Sequence, residues 1–131
     1  MAGTVKAYKH FGITLKNERW GWSGRAPDGR VAVTIWKDLL KGKPLTCNMF
    51  GDPKLPQWKG RPGNLERIEH LKWARDNRNG LFHVVIATAV DVSAEPRSAA
   101  EAYATKLIMK LIALDEETGE FSAEVTEMQD A

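Results

Sequence analysis

The sequence has little cysteine: Cys47 is the only one among 131 residues. A lone cysteine cannot form a disulfide within the chain, and without a second thiol it offers no spacing typical of a zinc or redox site. We therefore expect Cys47 to be a small buried hydrophobic residue, and we predict neither a metal nor a cofactor.

Long hydrophobic runs and nucleotide-binding motifs are missing as well. No stretch of about 18 apolar residues occurs, and the first residues, MAGTVKAYKHFG, lack the apolar core of an export signal. We therefore expect a cytoplasmic, bacterial-type protein that does not enter a membrane. A Walker loop, a GxGxxG after a strand and an HExxH motif are also absent from the sequence, which argues against nucleotide hydrolysis and structural zinc.

What is present is typical of one globular domain. The chain is 43% hydrophobic and 27% charged, and 131 residues are enough for a hydrophobic core without metals or disulfides. We predict a single domain over residues 1–131.

The net charge of +2 hides a division between the two halves of the chain. Residues 1–80 hold sixteen Lys and Arg against seven Asp and Glu, a net of +9, and residues 81–131 hold three against ten, a net of −7. All five tryptophans lie in the basic half. Cations beside exposed rings suit a nucleic acid, because the cations neutralise phosphates while the rings stack on bases. Alternatively, the two halves fold together and their charges face each other or water.

Short β-rich segments bounded by turn residues predict a sheet. VAVTIW (31–36) follows the turn APDGR, so residues 20–36 are predicted to form a hairpin. LFHVVIATAV (81–90) is apolar and β-branched throughout, which is typical of a central strand covered on both faces. KLIMKLIAL and EFSAEVTE flank DEETG, which predicts an antiparallel hairpin turning at Asp115–Gly119. Its second strand would alternate inward through Phe121, Ala123 and Val125.

Capping residues predict two helices. Asn64 can cap a helix running to about Asn77 that Asn79 and Gly80 would end. This helix would turn one set of residues to the core and another outward: Leu65, Ile68 and Leu71 inside, with Arg67, Arg75 and Arg78 on or near the outer face. The capping-box spacing of Ser98 and Glu101 predicts a short helix from Ser98 to about Tyr103.

A loop rich in proline and glycine separates the first hairpin from the first of these helices. Residues 41–64 contain four prolines and four glycines, which favour an irregular surface loop. Loops of this length are often functional. Together the elements predict an α+β domain with a curved, mixed or largely antiparallel sheet and about two helices. Short strands and hairpins are also compatible with a half-open or closed barrel.

The segment KNERWGWSGR supplies the candidate binding site. If residues 20–25 form a strand, Trp20 and Trp22 lie on one face and Ser23 and Arg25 on the other. Stacking rings, hydrogen-bonding side chains and phosphate-binding cations are what recognition of a single-stranded or extruded base needs. The two rings can equally be part of a small core, as we expect for Trp36 and Trp73.

The predicted ligand-binding residues have three roles. Trp20 and Trp22 would stack on bases, and Asn17 and Ser23 would form hydrogen bonds with polar base edges. The cations would bind phosphates: Arg19, Arg25, Lys37 and Arg61. The predicted function is a nucleic-acid-binding module, with RNA or modified DNA as its partner.

Two other functions remain open. One is an enzyme acting on a small or nucleotide-like substrate with His10 as acid or base, although no carboxylate is placed by motif to complete a triad with the nearby Ser23. His70 and His83 fall in a helix and an apolar strand, where structural roles are expected. The other is a protein-interaction module that recognises an acidic partner.

Two resemblances accompany these residues. The strings HFGITLKNERWGWSGRAPDGRVAVTIWKD, RPGNLERIEHLKWA and FHVVIATAVDVSAEPRSAA resemble a family of small uncharacterised bacterial proteins with an HFG…N…W-x-W-S pattern. That resemblance covers nearly the whole chain and implies no particular activity. More loosely, hairpins around a central apolar strand are similar to the PUA-like superfamily, including EVE and ASCH domains. This second resemblance implies an aromatic pocket that binds RNA or modified DNA bases, but a shared fold does not establish function.

Overall fold

A computed structural model describes residues 3–16, 21–94 and 99–128. For residues 127 and 128 it describes the backbone alone. The described residues form three α-helices: α1 (Thr4–His10), α2 (Leu55–Trp58) and α3 (Pro62–Asn77). They also form one 3₁₀ helix, Lys37–Leu39. The strands are β1 (Ser23–Arg25), β2 (Val31–Trp36), β3 (Leu40–Lys41), β4 (Thr46–Asn48), β5 (Leu81–Ala89), β6 (Ala99–Leu114) and β7 (Phe121–Met128). The predicted α+β class is confirmed.

The seven strands make one mixed sheet in the order β1-β2-β5-β6-β7-β4-β3. Only β2 and β5 pair in parallel, because the chain returns between them through α3 and starts β5 at the end where β2 started. The other neighbours are antiparallel. With β2 on one side, β6 on the other and helices on both faces, β5 is the central strand that its apolar sequence predicts.

The sheet is strongly curved. Only the three residues of the 3₁₀ helix separate β2 from β3, although β3 lies five positions away from β2 in the sheet. Five strand spacings would span about 24 Å in a flat sheet, whereas three residues of 3₁₀ helix rise about 6 Å. The sheet therefore curls until its far edge returns towards β2, and the 3₁₀ helix contacts both β4 and β5. Since β1 and β3 do not pair, the sheet is open rather than a closed barrel.

Two hydrophobic cores lie on the two faces of this sheet. In β2, Val31, Val33 and Ile35 pack in the core under α3, while Ala32 between them packs in the core under α1. The α3 core also contains Phe82, Leu71, Met109, Phe121 and Ala123. The α1 core contains Tyr8, Phe11, Ile13, Val85 and Ala102.

The hairpin predicted at Asp115–Gly119 is confirmed. Asp115 accepts hydrogen bonds from the backbone N–H of Glu117 and Thr118, at 2.9 and 3.2 Å, and the N–H of Gly119 closes the turn on the Asp115 carbonyl. Gly119 has a φ of +86°, which glycine adopts without steric cost. The hairpin predicted at 20–36 is confirmed for its described part, with β1 antiparallel to β2.

The predicted short helix from Ser98 to Tyr103 is wrong. Residues 99–114 form the single long strand β6, and Ser98 lies outside the described residues. Backbone pairing with β5, such as Ile86 opposite Tyr103, overrides the local capping-box spacing. Ala102 is buried in the α1 core, which gives this part of the strand its own packing.

The prediction of an irregular loop at 41–64 is wrong in part. Thr46–Asn48 pairs with β7, placing Cys47 opposite Ala123, and Cys47 is buried as expected. These three residues are free of proline and glycine, so they can join the sheet. The segment also includes α2, and α3 begins at Pro62, two residues before the predicted start.

The face that α3 turns to the core is also different from the prediction. Leu65 is 54% exposed, whereas Arg67 is only 4% exposed. The buried residues of α3 include Asn64, Arg67, Ile68, Leu71 and Ala74. Asn64 does not cap the helix: its side-chain amide donates to the carbonyls of Lys59 and Thr118 at 2.8 and 2.9 Å.

Candidate functional site

The short strand β1 lies along one face of α3. Three side-chain pairs join them at successive points: the Arg67 guanidinium 5.0 Å from the Trp22 ring centre, Ser23 Oγ 2.7 Å from His70 Nδ1, and the Arg25 guanidinium 4.1 Å from the Trp73 ring centre. The helix partners are three residues apart, so they project from the same face of α3. The sequence predicts a structural role for His70 and an outer position for Arg67, so neither is expected at this site.

A groove of about 550 Å³ lies between β1 and α3. Its charged lining residues are balanced, with three cations and three carboxylates: Lys16, Arg25 and Lys72, then Glu66, Glu69 and Asp76. Lys72 already contacts Glu69 and the more distant Glu116, each at 3.5 Å. The groove is therefore polar without being strongly basic.

Arg25 and Trp73 form the aromatic part of this groove. Trp73 is half-buried and donates its indole N–H to the carbonyl of Gly29 at 3.0 Å, which fixes the ring. Arg25 stacks on this ring, is exposed, and forms no ion pair with the described residues. The indole of Trp73 therefore covers one face of the Arg25 guanidinium, while the Arg25 side chain remains exposed to solvent.

Ser23 and His70 form a hydrogen-bonded pair behind this rim. Burial lowers the pKa of His70 to about 4, assisted by the charges of Arg25 and Lys16, so the imidazole is neutral at pH 7. Ser23 is 1% exposed. A group with so low a pKa is a weak general base, and so deeply buried a hydroxyl is poorly placed to attack a substrate. The pair fastens β1 to α3, and the predicted role of Ser23 in reading a base edge would require this bond to break.

Arg67 is a buried cation enclosed by aromatic rings. Its guanidinium carbon lies 5.0, 5.7 and 5.2 Å from the ring centres of Trp22, Trp58 and Phe121. One amine donates to Asn64 Oδ1 at 3.0 Å, whereas Nε is buried without a partner. Burial lowers the pKa of Arg67 to about 10, so it stays charged at neutral pH. The rings stabilise this charge by cation–π contact, and the cluster holds Trp22 in place.

The remaining predicted site residues are spread around the start of α3 and the end of β2. Trp22 is half-exposed, Lys37 is exposed in the 3₁₀ helix, and Arg61 precedes the first residue of α3. Trp22 accepts a backbone hydrogen bond from Thr34 in β2, three residues before Lys37. The predicted residues Asn17, Arg19 and Trp20 lie outside the described part of the chain.

His10 lies apart from this groove, on the other face of the sheet. Its ring stands edge-on to Phe11 with 5.1 Å between centres, and Phe11 stacks on His83 at 4.8 Å. His10 is exposed at the end of α1, and its ring makes no hydrogen bond with a described residue. The structure pairs Ser23 with His70 rather than with His10.

The described residues form a small α+β domain with a polar groove between a strand and a helix. None of the described helices has the length and apolar character needed to cross a membrane. In the same residues, no group of three His, Cys, Asp or Glu side chains is placed to hold a metal ion. Comparison of the chain with protein-family models, curated proteins and solved structures finds no match.

Proposed function

We propose that the protein is a cytoplasmic nucleic-acid-binding module that holds a single-stranded or extruded base at the groove between β1 and α3. The observation that carries this proposal is the stacked pair of Arg25 and Trp73 at the rim of the groove. Bases stack on guanidinium planes as well as on aromatic rings. Arg25 can therefore take a base on the face turned away from the indole while its charge attracts phosphate.

The charges inside the groove favour a base over a run of phosphates. Glu66, Glu69 and Asp76 would repel phosphates, but carboxylates accept hydrogen bonds from the amino groups of bases. We propose that the base edge enters the groove while the backbone stays outside it. Lys37 and Arg61, at the ends of neighbouring elements, would contact that backbone.

Trp22 would provide a second stacking surface. It immediately precedes β1, is half-exposed, and is held against the Arg67 guanidinium. A ring fixed in this way loses little conformational freedom on binding, which favours affinity.

The test is fluorescence anisotropy with labelled single-stranded RNA and DNA, measured over a series of salt concentrations. Trp22→Ala removes a stacking surface but no charge, so affinity should fall by about 1–3 kcal/mol with the salt slope unchanged. Arg25→Gln should weaken binding and also flatten the salt slope, because one fewer counterion is released.

Two variants serve as matched controls. Tyr103→Ala removes an exposed ring from β6, three strands away from β1, and Lys110→Gln removes an exposed cation from the opposite face of the sheet. Both should bind as the parent does. Absence of oligonucleotide binding at low salt, or unchanged binding by a folded Trp22→Ala variant, would overturn the proposal.

A further inference from the structure

A second groove, of about 330 Å³, opens where α3 ends and β5 begins. Its polar lining consists of two arginines, two asparagines and a histidine: Arg30, Arg78, Asn77, Asn79 and His83. Among the described residues that line it there is no carboxylate. We infer that this groove binds a phosphate group, carried by a small phosphorylated molecule or by the end of a nucleic acid strand.

Arg30 is positioned before any ligand arrives. Its Nε donates to Asp28 Oδ2 at 2.8 Å, and its Nη2 donates to the carbonyl of Phe11 at 3.1 Å. These two contacts fix the guanidinium plane and leave the remaining N–H groups, including both on Nη1, without a protein acceptor among the described residues. A guanidinium held in this way presents a donor fork suited to a phosphate.

Arg78 brings a second cation to the same place. It is exposed, and its side chain forms no hydrogen bond or ion pair with the described residues. Arg30 and Arg78 influence the same neighbours: burial lowers the pKa of His83 and both arginines lower it further, and both also lower the pKa of Asp28, chiefly through its hydrogen bonds with Arg30. Of the two guanidinium groups only that of Arg30 is paired with the Asp28 carboxylate, so the cluster keeps a net positive charge.

His83 adds another polar side chain to the lining of the groove. It is 9% exposed, and its Nδ1 is buried with no hydrogen-bond partner. The ring makes no hydrogen bond with the described residues, but Nε2 is not enclosed in the way that Nδ1 is. The enclosed Nδ1 stays without a partner when a ligand binds, whereas Nε2 is the ring nitrogen that can form a hydrogen bond with a phosphate oxygen in the groove.

The end of α3 opposes an anion only weakly. The carboxyl end of a helix carries about half a negative charge, but the backbone N–H groups of Arg78 and Gly80 both bond to the carbonyl of Ala74, at 2.8 and 2.9 Å. The net positive charge of Arg30, Arg78 and Asp28 together outweighs this partial charge. The site is on a different groove from that of the proposed function and does not depend on it.

The experiment is NMR titration of the full chain with inorganic phosphate, following the imidazole signals of its three histidines. Each signal is assigned by substituting one histidine at a time. We expect the His83 signals to shift with saturation in the millimolar range and those of His70 to stay in place. Arg78→Gln should weaken phosphate affinity by about tenfold or more, because it removes a charge-assisted contact.

Arg75→Gln is the matched control, because Arg75 is exposed on the same helix but is paired with Asp76 and Glu116. It should leave phosphate affinity within about twofold of the parent. No shift of the His83 signals, or an equal loss of affinity in both variants, would overturn the inference. A nucleoside monophosphate and a 5′-phosphorylated oligonucleotide then identify the source of the phosphate. Arg78→Gln should leave binding of an unphosphorylated oligonucleotide at the first groove unchanged, which separates the two proposals.

Discussion

Arg67 shows how one side chain can organise the neighbourhood of a site without facing it. Its guanidinium lies among three aromatic rings and donates a hydrogen bond to Asn64. In the described residues no carboxylate forms an ion pair with it. Burying a cation is costly unless it is compensated, so the rings and the amide supply that compensation. The same contacts fix the position of the half-exposed Trp22.

We predict that the volume of Arg67 contributes more to stability than its charge. Arg67→Ala should destabilise the fold by about 3–5 kcal/mol, because it leaves a cavity between three rings and an unpaired amide oxygen on Asn64. Arg67→Met fills most of that volume and removes a buried charge, so it should cost about 2 kcal/mol less than the alanine variant. Urea unfolding measures both variants. Equal losses would mean that the cation–π contacts and the hydrogen bond dominate instead.

His70 predicts a dependence of stability on pH. Its pKa is lowered from 6.5 to about 4 in the folded protein, so between these values the unfolded chain binds a proton that the folded chain does not. The free energy of unfolding should therefore fall as pH falls from 6.5 to 4. With allowance for the partial exposure of the ring, this loss should be about 2 kcal/mol.

His70→Asn isolates that contribution, because asparagine keeps a hydrogen-bonding group near Ser23 but does not titrate. Urea unfolding between pH 7 and pH 4 should give a shallower pH dependence for this variant than for the parent. The comparison is needed because His83 also has a lowered pKa and acts in the same direction. Identical pH profiles would mean that His70 is protonated as readily in the folded chain as in the unfolded one.

At the scale of elements, the β6–β7 hairpin and α3 are joined through Gly119 and Asn64. A Cβ at Gly119 would lie 2.2 Å from Asn64 Oδ1, and Asn64 is fully buried with hydrogen bonds to two carbonyls and to Arg67. The amide therefore cannot move aside cheaply. The turn needs glycine both for its positive φ and for this close approach.

We predict that Gly119→Ala destabilises the fold much more than Gly51→Ala does. Gly51 has almost the same conformation, with φ +83° against +86°, but a Cβ there would meet nothing within 4 Å. Gly51→Ala should cost only the backbone strain of about 1–2 kcal/mol. Gly119→Ala adds a clash with Asn64 and should cost at least about 3 kcal/mol. Thermal unfolding of the two variants gives the comparison, and similar losses would contradict a tight contact at Asn64.

The elements that the sequence predicts well are those defined by neighbouring residues. The apolar run of β5, the turn at Asp115–Gly119 and most of α3 are local patterns, and the structure contains all three. The first part of β6 and the strand β4 are different, because each is stabilised by partners far away in sequence. Capping-box spacing at Ser98 and the glycines and prolines around Cys47 predict local structure that distant pairing overrides.

The burial of Arg67 could have been found from spacing. It lies three residues after Asn64 and four before Leu71, on the stripe that α3 buries. A search for apolar residues passes over an arginine on such a stripe, and the aromatic rings that accommodate its charge come from the residue before β1, from α2 and from β7. The contact of Ser23 with His70 likewise depends on how β1 lies along α3, which no local pattern shows.

At the scale of the whole molecule, the basic and acidic halves of the chain share one sheet. Glu116 of the acidic half contacts Lys72 and Arg75 of the basic half at 3.5 and 3.1 Å. At this point the charges face each other, as the alternative interpretation of the charge division predicts. The cations that remain for a ligand are therefore fewer than the sequence total indicates, and Arg25 and Arg78 are among them.

The pairing of β4 with β7 also affects the order in which the fold can be completed during synthesis. Cys47 pairs with Ala123, so β3 and β4 cannot join the rest of the sheet until 76 further residues have left the ribosome. The strand β2 likewise cannot pair with β5 until the whole of α3, which lies between them in the sequence, has been synthesised. At a translation rate of about 5–20 residues per second, the β1–β2 and β3–β4 pairs remain without their other sheet partners for several seconds. During that time the apolar residues of β2 are exposed, and hydrophobic surface that is exposed in this way is prone to aggregation.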